Sequence, residues 1–300
     1  MLKKKTCLLL GAGASKHLEF PLGDELRQQM LGVLRAEKTK PVDKLPEEFK
    51  KSGEDISLFY DRLAYGNWTS PDAFLEKHRE FIKTGKYLIC RCLADLENSA
   101  KIVTSGGWYD KLVSAIHVDY VNQLKDNQLS VVTFNYDRSL DFRLHKYVEN
   151  QFGIESGEAW KMLNEAIPIV HVHGTLGKYP DWGYGDKSQY FERGQDIMIV
   201  SEVEDDTDEF RLASKLLKEA DRVIVFGFGF GTDNVRRLKF FKTAGEVEDR
   251  ELIIATGPNR GTVPSQETTE WLSQWGLEQK KHHWDMDCNT FLNYVSNPFR

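Results

Sequence analysis

The stretch LLLGAGASKHLEFPLGDEL, Leu8 to Leu26, decides how the rest of the chain is read. An apolar run, Cys7 to Leu10, meets Gly11-Ala12-Gly13-Ala14-Ser15 and then residues that open a helix. A buried strand that breaks into small residues before a helix suits an anion. Glycines let the backbone come close, and free N–H groups at a helix start carry partial positive charge. The segment departs from the dinucleotide fingerprint G-x-G-x-x-G, because position 16 is Lys16 and no ribose-binding acid closes a second strand roughly twenty residues later. Alone, it fits equally well a tight strand-to-helix turn in any α/β protein.

Outward from this turn, strands and helices alternate. Lys5–Leu10 reads as the first strand and Gly23–Arg35 as a helix, with Leu26, Met30, Leu31 and Leu34 at helical spacing. Ala36–Asp55, charged and holding Pro41 and Pro46, reads as a loop. From Ile56 to about Leu124 the signal is helical: Ser70 caps a helix that Pro71 opens, and Trp108–Leu124 forms another after Gly106-Gly107. Further strands are expected at Leu129–Phe134, Ile167–His171, Asp196–Val200, Arg222–Phe226 and, last, Leu252–Ala255. Helices are expected at Asp137–Val148, Asp208–Glu219 and Pro264–Trp275, and a short one around Phe291 and Tyr294, with a surface loop at Tyr179–Phe191. Short apolar strands each followed by a helix imply an α/β fold: a Rossmann-like parallel sheet with helices on both faces. The block at about 56–124 reads as a helical module inserted into one domain that spans 1–300.

The 300 residues carry a net charge of −6, are 40% hydrophobic and 29% charged, and hold four cysteines. That balance argues against general affinity for nucleic acid or anionic membrane, each of which needs a clustered basic surface. Lys3-Lys4-Lys5, Arg236-Arg237-Lys239 and Lys280-Lys281 read as solvated edges. Cys90 and Cys92 are spaced C-x-C with no second pair to complete a zinc site, so reduced thiols in the cytoplasm are expected and no metal. No stretch approaches the length of a membrane span, and the N-terminal apolar run is too short for a secretion signal.

In a parallel sheet ligands sit beyond the carboxyl ends of the strands, and GAGAS, NYD, HGTLG and GFGFGTDN all fall there. Asn135 can orient a water or a sugar hydroxyl through its amide, or can simply serve a turn. Asp137 reads as the N-cap of the helix after it. His171 and His173, alternating at a strand end, are expected on one face; His173, before Gly174, is the candidate general base. Gly227 to Gly231, with Thr232, Asp233 and Asn234, is a second glycine-rich strand end, and Ala255-Thr256-Gly257-Pro258 repeats the theme.

Taken in order, Gly11–Ser15, Thr133–Asp137, His173-Gly174 and Gly227–Asn234 resemble the sirtuin-like fold. The likeness is greatest to the sirtuin-like domains of bacterial anti-phage defence, which consume NAD. Ser70-Pro-Asp-Ala-Phe-Leu75 resembles a D-x-F-L segment common in that group. The resemblance covers Leu8 to Gly257 and implies an NAD site with Asn135 and His173 as catalytic residues. Asn135 would hold the nicotinamide ribose or the attacking water, and His173 would deprotonate a ribose hydroxyl or that water. Gly11, Ala12, Gly13 and Ser15 would contact pyrophosphate and ribose, with Thr133, Asp137, Gly174, Gly227, Gly229, Asp233 and Asn234 completing the NAD site. The chain lacks the two C-x2-C pairs of protein-deacylating sirtuins, and Pro21-Leu22-Gly23-Asp24 stands where they carry P-D-F-R. Both departures favour hydrolysis of NAD over acyl-lysine substrates. The expectation is a gated NAD glycohydrolase that acts as a homo-oligomer or with a separately encoded HerA-type ATPase. The alternative is a non-catalytic subunit that binds NAD or ADP-ribose.

Overall fold

A computed structural model describes residues 1–41, 44–105, 107–199, 207–238, 251–257, 283–284, 286–295 and 298–299. Among these residues six strands form one sheet: β1 (Thr6–Leu10), β2 (Leu129–Thr133), β3 (Ile169–His171), β4 (Arg222–Phe226), β5 (Glu251–Ala255) and β6 (His283–Trp284). Their order is β3-β2-β1-β4-β5-β6, and every neighbouring pair is parallel. The chain steps outward from β1 to β3 and then returns to the other side of β1 at β4. The order therefore reverses between β1 and β4, which is where open α/β sheets hold ligands.

The register explains why the strands read as unbroken apolar runs. Leu8 pairs with Val131 and Ile224, and these with Ile169 and Ile253, forming one row across the sheet. Leu9 pairs with Val132 and Val225, and these with Val170 and Ile254, forming the next row. The first row packs into the larger hydrophobic core and the second into a smaller core on the other face. With both faces covered there is no polar face to alternate with.

On the larger side lie α1 (Gly23–Glu37), α2 (Glu47–Ser52), α3 (Ile56–Tyr65), α4 (Pro71–Lys77), α5 (Ile82–Ala94), α6 (Ser99–Ser105) and α7 (Trp108–Ile116). α2 falls where a loop was expected; Pro46 precedes its first turn and Phe49 anchors it in the core. The helical block is segmented. Ser70 caps α4 by accepting from Ala73 N at 3.1 Å, with Pro71 in the first turn as the sequence indicates. α7 ends at Ile116, well before Leu124, because His117 turns extended and a 3-10 turn at Val121–Asp126 follows. This block shares its core with the sheet: Trp108 packs edge-on against Phe226 of β4 at 5.4 Å between ring centres.

α8 (Ser139–Phe152) begins two residues later than expected, and α9 (Ser156–Ala166) was not anticipated; it buries only Ala159 and Leu163. α10 (Tyr190–Gly194) ends the aromatic loop. The strand expected at 196–200 is absent from its described residues, which make only an isolated bridge between Ile197 and Gly174. α11 (Asp208–Glu219) matches its expected bounds and covers the second face with Phe210, Ala213 and Leu217, joined there by Leu238 of α12 (Thr232–Leu238). β6 follows the strand expected to be last. α13 (Cys288–Tyr294), capped by Asp287, buries Phe291. The helix expected at Pro264–Trp275 lies outside the described residues. Among the described residues no helix is long and apolar enough to cross a membrane.

Candidate functional site

The sheet's backbone ladder runs one bond past each of three strands. Phe134 N donates to Leu10 O at 2.9 Å, Gly11 N to Phe226 O at 3.0 Å and Gly227 N to Ala255 O at 3.0 Å. The turns after β1, β2 and β4 therefore leave the sheet at one level. Two of them interlock. Gly13 N donates to Gly227 O at 3.0 Å, and a Cβ on Gly13 would lie 2.7 Å from Gly227 Cα. Gly227 has φ +59, and a Cβ there would meet Ala14 N at 2.1 Å.

Asn135 sits in the turn after β2. Its N–H donates to Thr133 Oγ1 at 3.1 Å, and its Nδ2 donates to Ser15 Oγ at 3.1 Å. Ser15 Oγ in turn donates to Asp137 Oδ2 at 2.8 Å. This chain fixes the amide: the N–H2 end faces Ser15, and Oδ1 accepts no hydrogen bond from the described residues. Asp137 is not the N-cap. α8 starts at Ser139, so the carboxylate, one residue before the cap position, accepts from Ser139 N at 3.1 Å with its other oxygen. Burial raises the Asp137 pKa above the usual carboxylate value; the hydrogen bonds from Ser139 and Ser15 only partly offset it.

The two histidines do not share a face. β3 ends at His171, and a turn at Val172 intervenes before His173. His171 lies on the larger-core side beside Trp108 and Leu140. Its Nδ1 donates to Asn135 O at 3.0 Å, and its Nε2 is 3.1 Å from Asp141 Oδ2. His173 packs on the opposite side against Phe134 and Phe210, at ring separations of 5.3 and 5.7 Å. Its Nε2 is 3.1 Å from Asn234 Oδ1 in α12. Burial lowers the His173 pKa; the charge of Asp72 and the contacts with Asn234 and the Met198 backbone oppose this, while Arg237 reinforces it. His173 is therefore neutral at pH 7 and able to take up a proton.

A cavity of about 450 Å³ opens above the reversal point. Asn135 and His173 both line it, with Gly11, Ala12, Ser15, Asp137, Gly229 and Asn234 from the expected set. Gly13 and Gly227 instead line a second cavity of about 520 Å³, with Lys16, Glu25 and Gly257. Thr133 and Gly174 line neither cavity. Thr133 holds Asn135, and Gly174, at φ +70, takes a conformation in which a Cβ would strike Asp196 O at 1.9 Å. Asp233 lies in the first turn of α12, its side chain outside the described residues.

Sequence reading missed Asp72 and Tyr136. Both line the main cavity, and Tyr136 Oη–H donates to Asp72 Oδ1 at 2.5 Å. Asp72 stands inside the Ser70–Leu75 segment, which was its only signal. Phe20, Phe134 and Phe228 supply aromatic lining; each lies inside a stretch that the sequence marked, but none was singled out there. No group of three or more His, Cys, Asp or Glu side chains suited to a metal occurs among the described residues.

No protein-family model matches this chain, and no curated protein does.

Proposed function

We propose that the chain is an NAD glycohydrolase, cleaving the nicotinamide–ribose bond to release nicotinamide and ADP-ribose. The observation that carries this reading is the convergence of the Asn135 amide and the His173 ring on one cavity, directly over the Gly11–Ser15 turn where the strand order reverses. Cleavage passes through an oxocarbenium-like ribosyl cation, so the site must orient and balance charge more than supply a strong nucleophile. Asn135, with its Nδ2 committed to Ser15, offers Oδ1 to a ribose hydroxyl or the attacking water. His173 takes the proton. Facing Asn234 Oδ1, Nε2 carries the ring proton; it becomes an acceptor once substrate displaces Asn234 and the ring proton resides on Nδ1. The Gly11–Ser15 turn would sit against the pyrophosphate.

The likeness to sirtuin-like defence domains supports a role as a gated effector that depletes NAD during phage infection, active as a homo-oligomer or with a HerA-type ATPase. Nicotinamide release from NAD by the purified chain tests the central reading. Asn135→Ala and His173→Ala are each expected to reduce it on the order of a hundredfold or more. Bound NAD with no release, alone or with the ATPase added, would replace the enzyme by a binding subunit.

A further inference from the structure

Among the described residues that line this first cavity there is no Lys or Arg, and the two carboxylates there differ. Asp137 is buried, accepts from Ser15 and from Ser139 N, and is biased by burial toward its neutral form. Asp72 is half-buried, accepts from Tyr136 Oη at 2.5 Å through Oδ1, and forms no ion pair among the described residues. It is supplied by α4, within the helical block, whereas Asn135, His173 and Ser15 come from the edge of the sheet. A carboxylate without an ion-pair partner among the described residues, beside aromatic walls (Phe20, Phe134, Phe228), repels an anion and rewards a flat or sugar-borne cation.

We propose that Asp72 is a third catalytic residue, its carboxylate facing the positive charge of the nicotinamide riboside and the ribosyl cation that follows. This rests on the NAD glycohydrolase reading. As the C1′–N1 bond breaks heterolytically, its electron pair stays on N1 and nicotinamide departs neutral. The positive charge passes to C1′ and the ring oxygen, still near Asp72. Water adds to C1′ and gives its proton to His173, completing ADP-ribose. Asp72 forms no bond in this sequence; it lowers the energy of a cation present before and during bond cleavage. The same charge makes the site discriminate between oxidised NAD, whose ring is cationic, and NADH, whose ring is neutral.

The test measures equilibrium binding of NAD, NADH and ADP-ribose in the Asn135→Ala background, where substrate survives, with and without Asp72→Asn. Asn is nearly isosteric and still accepts from Tyr136. NAD is expected to bind about tenfold tighter than NADH. Asp72→Asn is expected to abolish that preference and leave ADP-ribose binding unchanged. In the otherwise native chain it is expected to slow nicotinamide release on the order of a hundredfold. An unchanged NAD-to-NADH ratio overturns the proposal, as does release by Asp72→Asn at the native rate. Tyr136→Phe keeps the carboxylate and is expected to keep the preference; loss of the preference there equal to that in Asp72→Asn would make the pair a structural link and overturn the proposal. If the native chain releases no nicotinamide but the preference and its loss are seen, the glycohydrolase reading fails and Asp72 stands as the cation-recognising group. Failure to bind any of the three overturns both.

Discussion

His171 and His173 stand two residues apart, and their surroundings push their pKa values in opposite directions. At His171 burial opposes the proton, but the charge and hydrogen bond of Asp141 and the Asn135 carbonyl outweigh it, so its pKa stands above the ordinary 6.5. At His173 burial prevails, and the pKa falls below 6.5. If His173 is the base, nicotinamide release should hold through neutral pH and decline only on an acid limb whose apparent pKa lies below 6.5, a limb that His173→Gln should remove. Stability follows the same signs. As pH falls, the unfolded chain protonates residue 173 first, so this group's contribution is present above 6.5 and is lost as pH falls through the lowered native value. Residue 171 contributes fully below 6.5 and loses that contribution as pH rises through its raised value. Urea midpoints measured on either side of 6.5 should therefore show His171→Gln costing more on the acid side. Asn135 and His173 were legible because each follows an apolar run that ends a strand. The Asp72–Tyr136 bond was not: its members are 64 residues apart, and neither belongs to a periodic pattern.

Among the elements, the strands were the easiest to read and the turns the hardest to interpret. β1, β2, β4 and β5 carry apolar runs on consecutive residues (Cys7–Leu10, Val131-Val132, Val223–Phe226, Leu252–Ala255) because each is buried on two faces, and α11 shows a clean apolar stripe because it covers only one. α2 and α9 escaped notice because two buried residues apiece leave little periodic signal. The glycine turns illustrate a different limit. The sequence marks Gly13, Gly227 and Gly229 alike, yet the first two fasten β1 to β4 and only the third borders the main cavity, with nothing within 4 Å of a Cβ placed on it. Gly227→Ala combines a left-handed backbone with a clash against Ala14 N. It should cost at least about 2 kcal/mol in denaturant unfolding. Gly229→Ala should leave stability nearly unchanged, so the pair separates scaffold from site.

The molecule as a whole depends on a buried charge cluster that composition could not foretell. Arg138 is fully buried, gives Nε to Glu97 Oε1 at 2.9 Å and Nη2 to Glu97 Oε2 at 2.5 Å, and donates further to the carbonyls of Gly177, Trp182 and Gly183. Arg193, also fully buried, donates to the carbonyls of Leu176 and Asp186 and has Nη2 3.7 Å from Glu97. One carboxylate thus lies between two guanidiniums, whose remaining N–H groups are largely met by carbonyls, and joins the helical block to the loop after β3. Glu97→Ala leaves both cations buried without their anion and should cost about 3–5 kcal/mol, read from urea midpoints. In sequence, a buried arginine looks like any of the solvated ones, so neither was singled out.

This cluster also changes what covalent continuity means in that loop. Lys187 is exposed, whereas the residues on both sides of it are held from within: Gly185 N by Glu97 at 3.2 Å, the Asp186 carbonyl by Arg193, and Arg193 by its own burial. A protease that cuts after Lys187 would sever the chain without releasing either piece. The nicked protein would run as two bands once denatured and as one particle while native. Residues 187 and 188 are thus a place where the polypeptide can be opened, tagged or split into two cooperating halves without touching the cavity, whose lining includes no residue of this loop beyond His173 among those described.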